Sequence, residues 1–107
     1  MNTLRHRVIS HRGNIEGPDR NIENMPTQID IAIKKGYDVE IDVWFLKEQN
    51  LFYLGHDKPE YEISLDFLCN RKDFLWCHAK NIDSLFAMKG YNLNFFWHQS
   101  DDAVMTT

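Results

Sequence analysis

The chain lacks a long apolar run. None of its hydrophobic stretches approaches the ~18 residues of a membrane-spanning helix, and the amino-terminal MNTLRHRVIS lacks the apolar core of a signal peptide. Its two cysteines, Cys69 and Cys77, are expected to be reduced core residues, because nothing in the sequence indicates export. These absences predict a cytoplasmic protein with no membrane span.

An excess of basic residues is also missing. The chain has 12 Lys and Arg against 16 Asp and Glu, a formal net charge of -4, and charges of both signs are interspersed. Such a chain does not bind polyanions through bulk electrostatics, so we expect no nucleic-acid partner. With 3 Pro and 5 Gly it has no linker-like or low-complexity segment, and its 43% hydrophobic content predicts one domain over residues 1–107.

The apolar periodicity predicts strands that alternate with helices. The segment Met25 to Lys35 places Ile29, Ala32 and Ile33 on one helical face, and Gly36 ends this helix. The other predicted elements are strands over 7–10, 37–46, 74–77 and 94–97 and helices over 64–71 and 81–89. Strands that alternate with helices form parallel sheets, in which functional side chains gather at the carboxyl ends of the strands.

A hairpin is predicted where the polar segment KEQN separates two apolar runs. With Leu46 opposite Leu51, Asp42 comes opposite Gly55. The hairpin then delivers His56 to the edge of the sheet that carries the carboxylates.

Histidines and acids recur at this edge. Four of the five histidines, at positions 11, 56, 78 and 98, directly follow strand-like runs. Glu40 and Asp42 are two residues apart and therefore share one face of a strand. Alone, this pair is more often the solvated face of an ordinary strand, but beside the histidines it indicates a divalent cation such as Mg²⁺ or Ca²⁺.

The residues around the first strand are suited to phosphate chemistry. His11 and His56 can exchange protons near neutral pH, one as a base and the other as an acid. Arg12 can hold a phosphate through its guanidinium fork, and Gly13 allows a close approach of the backbone.

Four short motifs follow one another along the chain: His11-Arg12-Gly13, Glu23-Asn24, Glu40-Ile41-Asp42-Val43 and His56-Asp57. Together they resemble the amino-terminal signature of the glycerophosphodiester phosphodiesterases, in the phospholipase C-like (β/α)8 barrel superfamily. The resemblance covers roughly residues 8–80 and implies a metal-dependent phosphodiesterase. It also implies that the attacking group is a hydroxyl of the substrate's own glycerol.

The resemblance assigns a role to each motif. It implies that His11 and His56 form the acid-base pair, that Arg12 binds the phosphate, and that Glu40 and Asp42 ligate a divalent metal ion, Mg²⁺, Ca²⁺ or Mn²⁺. It also implies supporting roles in the site for Glu23 and Asn24.

The chain departs from the family pattern in one motif. The family has Ile-Glu-x-Lys where this chain has Cys77-His78-Ala79-Lys80. Lys80 matches the phosphate-binding lysine, but His78 replaces an acidic metal ligand. Either His78 ligates the metal, which would favour Mn²⁺ or Zn²⁺ over Ca²⁺, or it is a neutral polar group beside a weaker site.

The predicted fold class is α/β, specifically about the first half of a (β/α)8 TIM barrel with a β-hairpin that carries His56. A full barrel has eight strands and typically about 250 residues, so 107 residues supply only its amino-terminal half. The chain is then either a fragment of a longer protein or one subunit of a homodimer that closes the open sheet.

The sequence leaves two functions open, one enzymatic and one non-catalytic. The first is hydrolysis of a small glycerophosphodiester-like substrate. The second is a non-catalytic half-barrel that binds phosphate esters or a partner chain. The three tryptophans, Trp44, Trp76 and Trp97, are expected to be core or pocket wall rather than a platform for nucleic-acid bases.

Overall fold

The computed structural model describes residues 8–14, 22–100 and 103–106, with side chains as far as residue 97. The strands are β1 (Ile9–His11), β2 (Asp38–Leu46), β3 (Leu51–Leu54), β4 (Tyr61–Ile63), β5 (Leu75–Ala79), β6 (Phe95–Ser100) and β7 (Ala103–Thr106), and the helices are α1 (Pro26–Lys34), α2 (Leu65–Asn70) and α3 (Ile82–Lys89). Of the helices in these ranges, none combines the length and the apolar character needed to cross a membrane.

All seven strands belong to one mixed sheet. Six follow the order β4-β3-β2-β5-β6-β7, and β1 pairs with the first part of β2. The pairs β1/β2, β2/β5 and β5/β6 are parallel. The pairs β2/β3, β3/β4 and β6/β7 are antiparallel.

The predicted partial TIM barrel is wrong. The described residues form a small mixed α/β domain with an open sheet, whose edge strands β4 and β7 are both antiparallel to their neighbours. A barrel requires parallel strands that continue around its axis through helical crossovers. Here the chain turns back after β6 and pairs with it at once, so the parallel order stops there. Neither β4 nor β7 was predicted, because each is short and has no clear alternation of polar and apolar residues.

The local elements agree more closely with the sequence prediction. Helix α1 begins with Pro26 at its first position and ends before Gly36, whose φ of 96° is the left-handed conformation expected after a helix. The hairpin has the predicted register, with Leu46 opposite Leu51. Beyond the ladder, the Gly55 N–H donates to the Asp42 carbonyl at 3.2 Å, as the predicted alignment requires.

The hydrophobic core lies on one face of the sheet. In β2 the odd-numbered residues Val39, Ile41 and Val43 are fully buried in it. The helices contribute to the same cluster through Ile29, Ala32, Leu68, Leu85 and Met88. Because strand side chains alternate, the even-numbered residues of β2, Glu40 and Asp42 among them, project from the opposite face.

Asn81 joins the start of α3 to strand β2. Its Oδ1 accepts the Ser84 N–H at 3.0 Å, which caps the helix, and also the Phe45 N–H at 3.2 Å. Its Nδ2 donates to the Phe45 carbonyl at 3.0 Å. One side chain therefore satisfies both backbone groups of Phe45 and one free N–H of the helix.

Replacing Asn81 by Ala is expected to lower the free energy of unfolding by about 2 to 4 kcal/mol, because it removes a helix cap and leaves two backbone groups of Phe45 without partners. Urea denaturation would measure this change. The matched control is Ser64→Ala, which removes the cap of α2 alone and should cost about 1 kcal/mol. Equal losses in the two variants would contradict the bridging role of Asn81.

Candidate functional site

The side chain of Asp42 is the centre of the candidate site. It is only 1% exposed, and its two oxygens are held by different groups. Oδ2 accepts hydrogen bonds from Arg12 Nε and Asn24 Nδ2, both at 2.9 Å. Oδ1 lies 3.1 Å from His78 Nδ1, which donates when that nitrogen is protonated. The Asp42 N–H also donates to Asn24 Oδ1 at 2.9 Å, so Asn24 binds both the backbone and the carboxylate.

These contacts keep Asp42 ionised. Burial raises the pKa of the carboxyl group, but the hydrogen bonds from His78 and Asn24 lower it. The positive charges of Arg12 and Lys80 lower it further. The lowering effects outweigh burial, and the pKa falls from 3.8 to about 2. Asp42 is therefore a buried carboxylate whose charge is compensated by its protein neighbours.

Two unusual backbone conformations bring Arg12 and Asn24 to this carboxylate. Both residues have positive φ, 58° and 62° respectively, a conformation that costs a residue other than glycine about 1 to 3 kcal/mol. Arg12 and Gly13, whose φ is 82°, form a tight turn in which Asn14 N–H donates to the His11 carbonyl at 3.0 Å. The Asn24 N–H donates to the Arg12 carbonyl at 2.8 Å. The two strained residues thus support each other.

Arg12, the predicted phosphate ligand, lies between two carboxylates. Its Nε contacts Asp42, and its terminal Nη1 lies 3.5 Å from Glu23 Oε2. Glu23 therefore lies beside Arg12, and its role in a site stays a prediction.

His11 and Glu40 form a neighbouring pair on the same face of the sheet. They are register partners in the β1/β2 ladder, and His11 Nε2 lies 3.4 Å from Glu40 Oε2. The His11 side chain is 56% exposed, so its ring is accessible from solvent. Glu40 therefore faces His11 rather than the Asp42 carboxylate.

His56 lies in the loop after β3, next to the Gly55 that pairs with Asp42. Its Nδ1 is 3.0 Å from Asp57 Oδ1, an ion-pair distance, but the geometry is not that of a hydrogen bond. Within the described ranges this buried nitrogen has no hydrogen-bond partner. The hydrogen bond between Gly55 and Asp42 therefore brings the backbone before His56 next to strand β2.

His78 and Lys80 approach Asp42 from β5. The His78 ring stacks on Phe96 of β6, with ring centroids 5.0 Å apart and an interplanar angle of 4°. Lys80 is attached to β2 through its N–H, which donates to the Val43 carbonyl at 2.8 Å, and its charge lowers the pKa of Asp42. His78 therefore contacts the Asp42 carboxylate, whereas the predicted phosphate contact of Lys80 stays a prediction.

The three predicted metal ligands fit a divalent cation in their chemistry and partly in their positions. Two carboxylates and an imidazole are acceptable ligands for Mg²⁺ or Mn²⁺. Asp42 Oδ1 and His78 Nδ1 are 3.1 Å apart, which resembles the spacing of about 3 Å between neighbouring ligands of a six-coordinate ion with bonds of about 2.1 Å. Glu40 instead lies against His11. The part of the chain that the structure describes has no cluster of three or more His, Cys, Asp or Glu side chains arranged for a metal ion.

Three grooves in the described part of the chain lie away from the candidate residues. They have volumes of about 360 to 390 Å³ and surround Phe45, near α3 and the β2–β3 hairpin. Phe45 is an odd-numbered residue of β2, on the face opposite Asp42, and none of the three grooves is lined by a candidate residue.

Sequence reasoning missed two neighbours of the predicted residues. Trp44 donates from its indole Nε1 to the Gly55 carbonyl at 2.7 Å, and Phe96 supports the His78 ring. The alternation of β2 places Trp44 on the same face as Asp42, which was the available signal; nothing local indicated Phe96, because its contact depends on the β5/β6 register. The side chain of His98 lies outside the described residues.

The site thus joins Arg12, Glu23, Asn24, His78 and Lys80 around one carboxylate, with the pair His11 and Glu40 beside it on the same face. Comparison of the chain with protein-family models, with curated proteins and with solved structures gives no match. The resemblance to the glycerophosphodiester phosphodiesterases therefore rests on the four sequence motifs and stays a prediction.

Proposed function

We propose that this protein is a metal-dependent hydrolase of small phosphodiesters of the glycerophosphodiester type. His11 and His56 exchange the protons of the reaction, and Arg12 and Lys80 bind the phosphate. The motif resemblance suggests this activity. The convergence of Arg12, Asn24, His78 and Lys80 on Asp42 supports it.

The charge balance of the site is the observation that carries the metal requirement. With neutral histidines, the positive charges of Arg12 and Lys80 face the three carboxylates of Glu23, Glu40 and Asp42. The cluster has an excess of negative charge, and it would repel a phosphodiester anion. A divalent cation reverses this sign, so substrate binding is expected to require one.

Glu40 and Asp42 would hold the cation, with His78 beside them. The bound ion would supply positive charge that attracts the phosphate and stabilises the negative charge of the transition state. The remaining tasks belong to the side chains. Asn24 holds Asp42 in place through both its backbone N–H and its carboxylate, and Arg12 is held by Asp42 and Glu23 where it can meet a phosphate oxygen.

The two histidines would handle the protons. One imidazole accepts the proton of the attacking hydroxyl as the new P–O bond forms; this hydroxyl is either that of the substrate's glycerol, in which case water then opens the cyclic phosphate, or a water molecule. The other imidazole donates a proton to the alcohol oxygen as the old P–O bond breaks. His11 is accessible from solvent beside Glu40, and the Nδ1 of His56 has no hydrogen bond within the described residues.

The direct test is hydrolysis of glycerophosphocholine and of bis(p-nitrophenyl) phosphate with Mg²⁺, Mn²⁺, Ca²⁺ or EDTA. Turnover with at least one metal and its loss in EDTA are expected, because the anionic cluster cannot bind substrate without a cation. The matched control is Asp30→Asn, which removes a carboxylate from an exposed ion pair with Arg71 and should leave turnover unchanged.

Absence of turnover under all conditions would contradict the proposed activity. The second candidate function is then a non-catalytic protein that binds phosphate esters, which is favoured by the full set of protein partners around Asp42. Titration with glycerol phosphate, followed by calorimetry, would distinguish binding from a purely structural cluster. A homodimer stays a prediction, and light scattering would test it.

A further inference from the structure

We propose that Trp44 is a positioning residue for His56: its indole N–H binds the Gly55 carbonyl and so fixes the backbone from which His56 projects. This inference rests on the proposed function, in which His56 exchanges a proton with the substrate. Trp44 itself touches no reacting group in this scheme. It acts through one hydrogen bond to the residue before His56.

The hydrogen bonds around Gly55 show why the indole matters. The regular β2/β3 ladder ends at the pair Val43 and Leu54. Beyond it, the Gly55 N–H reaches the Asp42 carbonyl at 3.2 Å, near the long end of the range for hydrogen bonds. The bond from Trp44 Nε1 to the Gly55 carbonyl is much shorter, at 2.7 Å. Both backbone groups of Gly55 are therefore attached to β2, and the tryptophan makes the closer contact.

The register of the hairpin makes this contact available to a large side chain only. Trp44 is directly opposite Tyr53, so Gly55 is its diagonal neighbour across the two strands. Diagonal neighbours are separated by about 7 to 8 Å, which long aromatic side chains can span. The indole N–H is a donor without acceptor capacity, and it suits a carbonyl oxygen. Phenylalanine would keep much of the ring but lose the bond.

The loop after Gly55 folds back over this point. The Glu60 N–H donates to the Leu54 carbonyl at 2.9 Å and closes the loop. A Cβ added to Gly55 would collide with the Lys58 carbonyl, so the backbone at Gly55 is tightly enclosed. A shift of the Gly55 carbonyl would therefore be transmitted to the next residue, which is His56.

The contacts of the His56 ring do not hold it as firmly. Its Nδ1 makes no hydrogen bond within the described ranges, and the nearby Asp57 carboxylate is 66% exposed. An ion pair whose carboxylate lies mostly in solvent contributes little to fixing a side chain. The location of the imidazole is therefore expected to depend on the backbone, and hence on the bond from Trp44.

The test compares Trp44→Phe with a matched control, Tyr53→Phe. Tyr53 faces Trp44 on the same side of the hairpin, and its hydroxyl bonds only to exposed Gln49 in the described part of the chain. Proteins labelled in the histidine ring would be compared by NMR, with the His56 signal assigned from a His56→Ala variant. Hydrolysis of bis(p-nitrophenyl) phosphate would supply kcat and KM.

In Trp44→Phe the His56 ring signal is expected to move while the His11 signal stays, and Tyr53→Phe should move neither. A misplacement of about 1 Å can reduce catalysis by about a hundredfold, so kcat should fall about 10- to 100-fold with KM changed less than about twofold. A purely structural role would lower thermal stability and leave the His56 signal in place. That result would overturn the proposal.

The inference can still be tested if the protein shows no hydrolysis or if the Trp44→Phe variant does not fold. If wild-type protein hydrolyses no phosphodiester, the proposed function fails, but the His56 signal still decides whether Trp44 positions this ring. If Trp44→Phe does not fold, the contact is tested by NMR in the wild-type protein. A nuclear Overhauser contact between the Trp44 indole proton and the Gly55–His56 backbone is expected there, and its absence would overturn the assignment.

Discussion

Replacing His11 or His56 by alanine is expected to lower kcat for phosphodiester hydrolysis by about 10²- to 10⁴-fold, the usual contribution of a general acid or base. Each variant removes one of the two groups that move protons in the proposed reaction. The fold should persist, because His11 is 56% exposed and the Nδ1 of His56 makes no hydrogen bond in the described residues. Steady-state kinetics with the activating metal would measure the loss.

The pH dependence separates the two histidines from residues that merely bind substrate. Loss of a proton-transfer group should remove one limb of the pH–rate profile, whereas loss of a binding group raises KM and leaves the profile unchanged. His6→Ala is the control, since no role in the site is assigned to that histidine. Turnover of His11→Ala or His56→Ala within a few fold of wild type would exclude that residue as acid or base.

Replacing Asp42 by Asn is expected to lower the free energy of unfolding at neutral pH by about 2.5 kcal/mol or more. The pKa of Asp42 falls from 3.8 to about 2 on folding, and this difference alone corresponds to about 2.5 kcal/mol of stability in the ionised form. The amide also removes one of the two carboxylates that Arg12 contacts, which adds to the loss. Urea denaturation of the metal-free protein, in buffer containing EDTA, would measure the effect.

The same substitution should change how stability depends on pH. Because folding lowers the pKa of Asp42, its contribution is fully present above pH 3.8 and is lost as the pH falls through about 2. The difference in stability between wild type and Asp42→Asn should therefore be constant near neutrality and shrink between about pH 4 and 2.

Asp30→Asn provides the control for this experiment. Asp30 forms an exposed ion pair with Arg71, and such pairs contribute about 0 to 1 kcal/mol. Loss of this ion pair should change the free energy of unfolding little at any pH. Parallel pH curves for wild type and Asp42→Asn would contradict a carboxylate held ionised by His78, Asn24 and Arg12.

The hairpin and the helices were predictable because their signals are local. The polar segment between two apolar runs set the turn, and the pairing of Leu46 with Leu51 followed from its length. Serine is a common helix-capping residue, and Ser64 caps α2, where its hydroxyl accepts the Phe67 N–H at 3.1 Å. These features depend on residues within a few positions of one another.

The fold class was predicted incorrectly because it depends on how strands pair at the edges of the sheet. The parallel strands β1, β2, β5 and β6 are separated by helices in a way that both a barrel and an open sheet allow. The antiparallel strands β4 and β7 distinguish the two, and each is only three or four residues long. Such short segments have no periodicity that would identify a pairing partner.

The candidate site shows a similar division. The motifs located most of its residues, and the two-residue period of β2 placed Glu40 and Asp42 on one face. The motifs did not reveal that Arg12 contacts Asp42 and Glu23, because each of these contacts joins segments that are separate in the sequence. The partner of a buried carboxylate is selected by tertiary packing, and several cationic or amide side chains could satisfy the same rule.

Local periodicity and turn chemistry were sufficient to define the helices, the hairpin and the polar face of β2, because backbone geometry repeats every 2 or 3.6 residues. The open sheet, the orientation of Glu40 towards His11 and the bond from Trp44 to Gly55 required the folded chain. Arg12 and His78 lie 30 and 36 positions from Asp42 in the sequence. Contacts over such separations depend on the register of several strands at once, and no short stretch of sequence specifies that register.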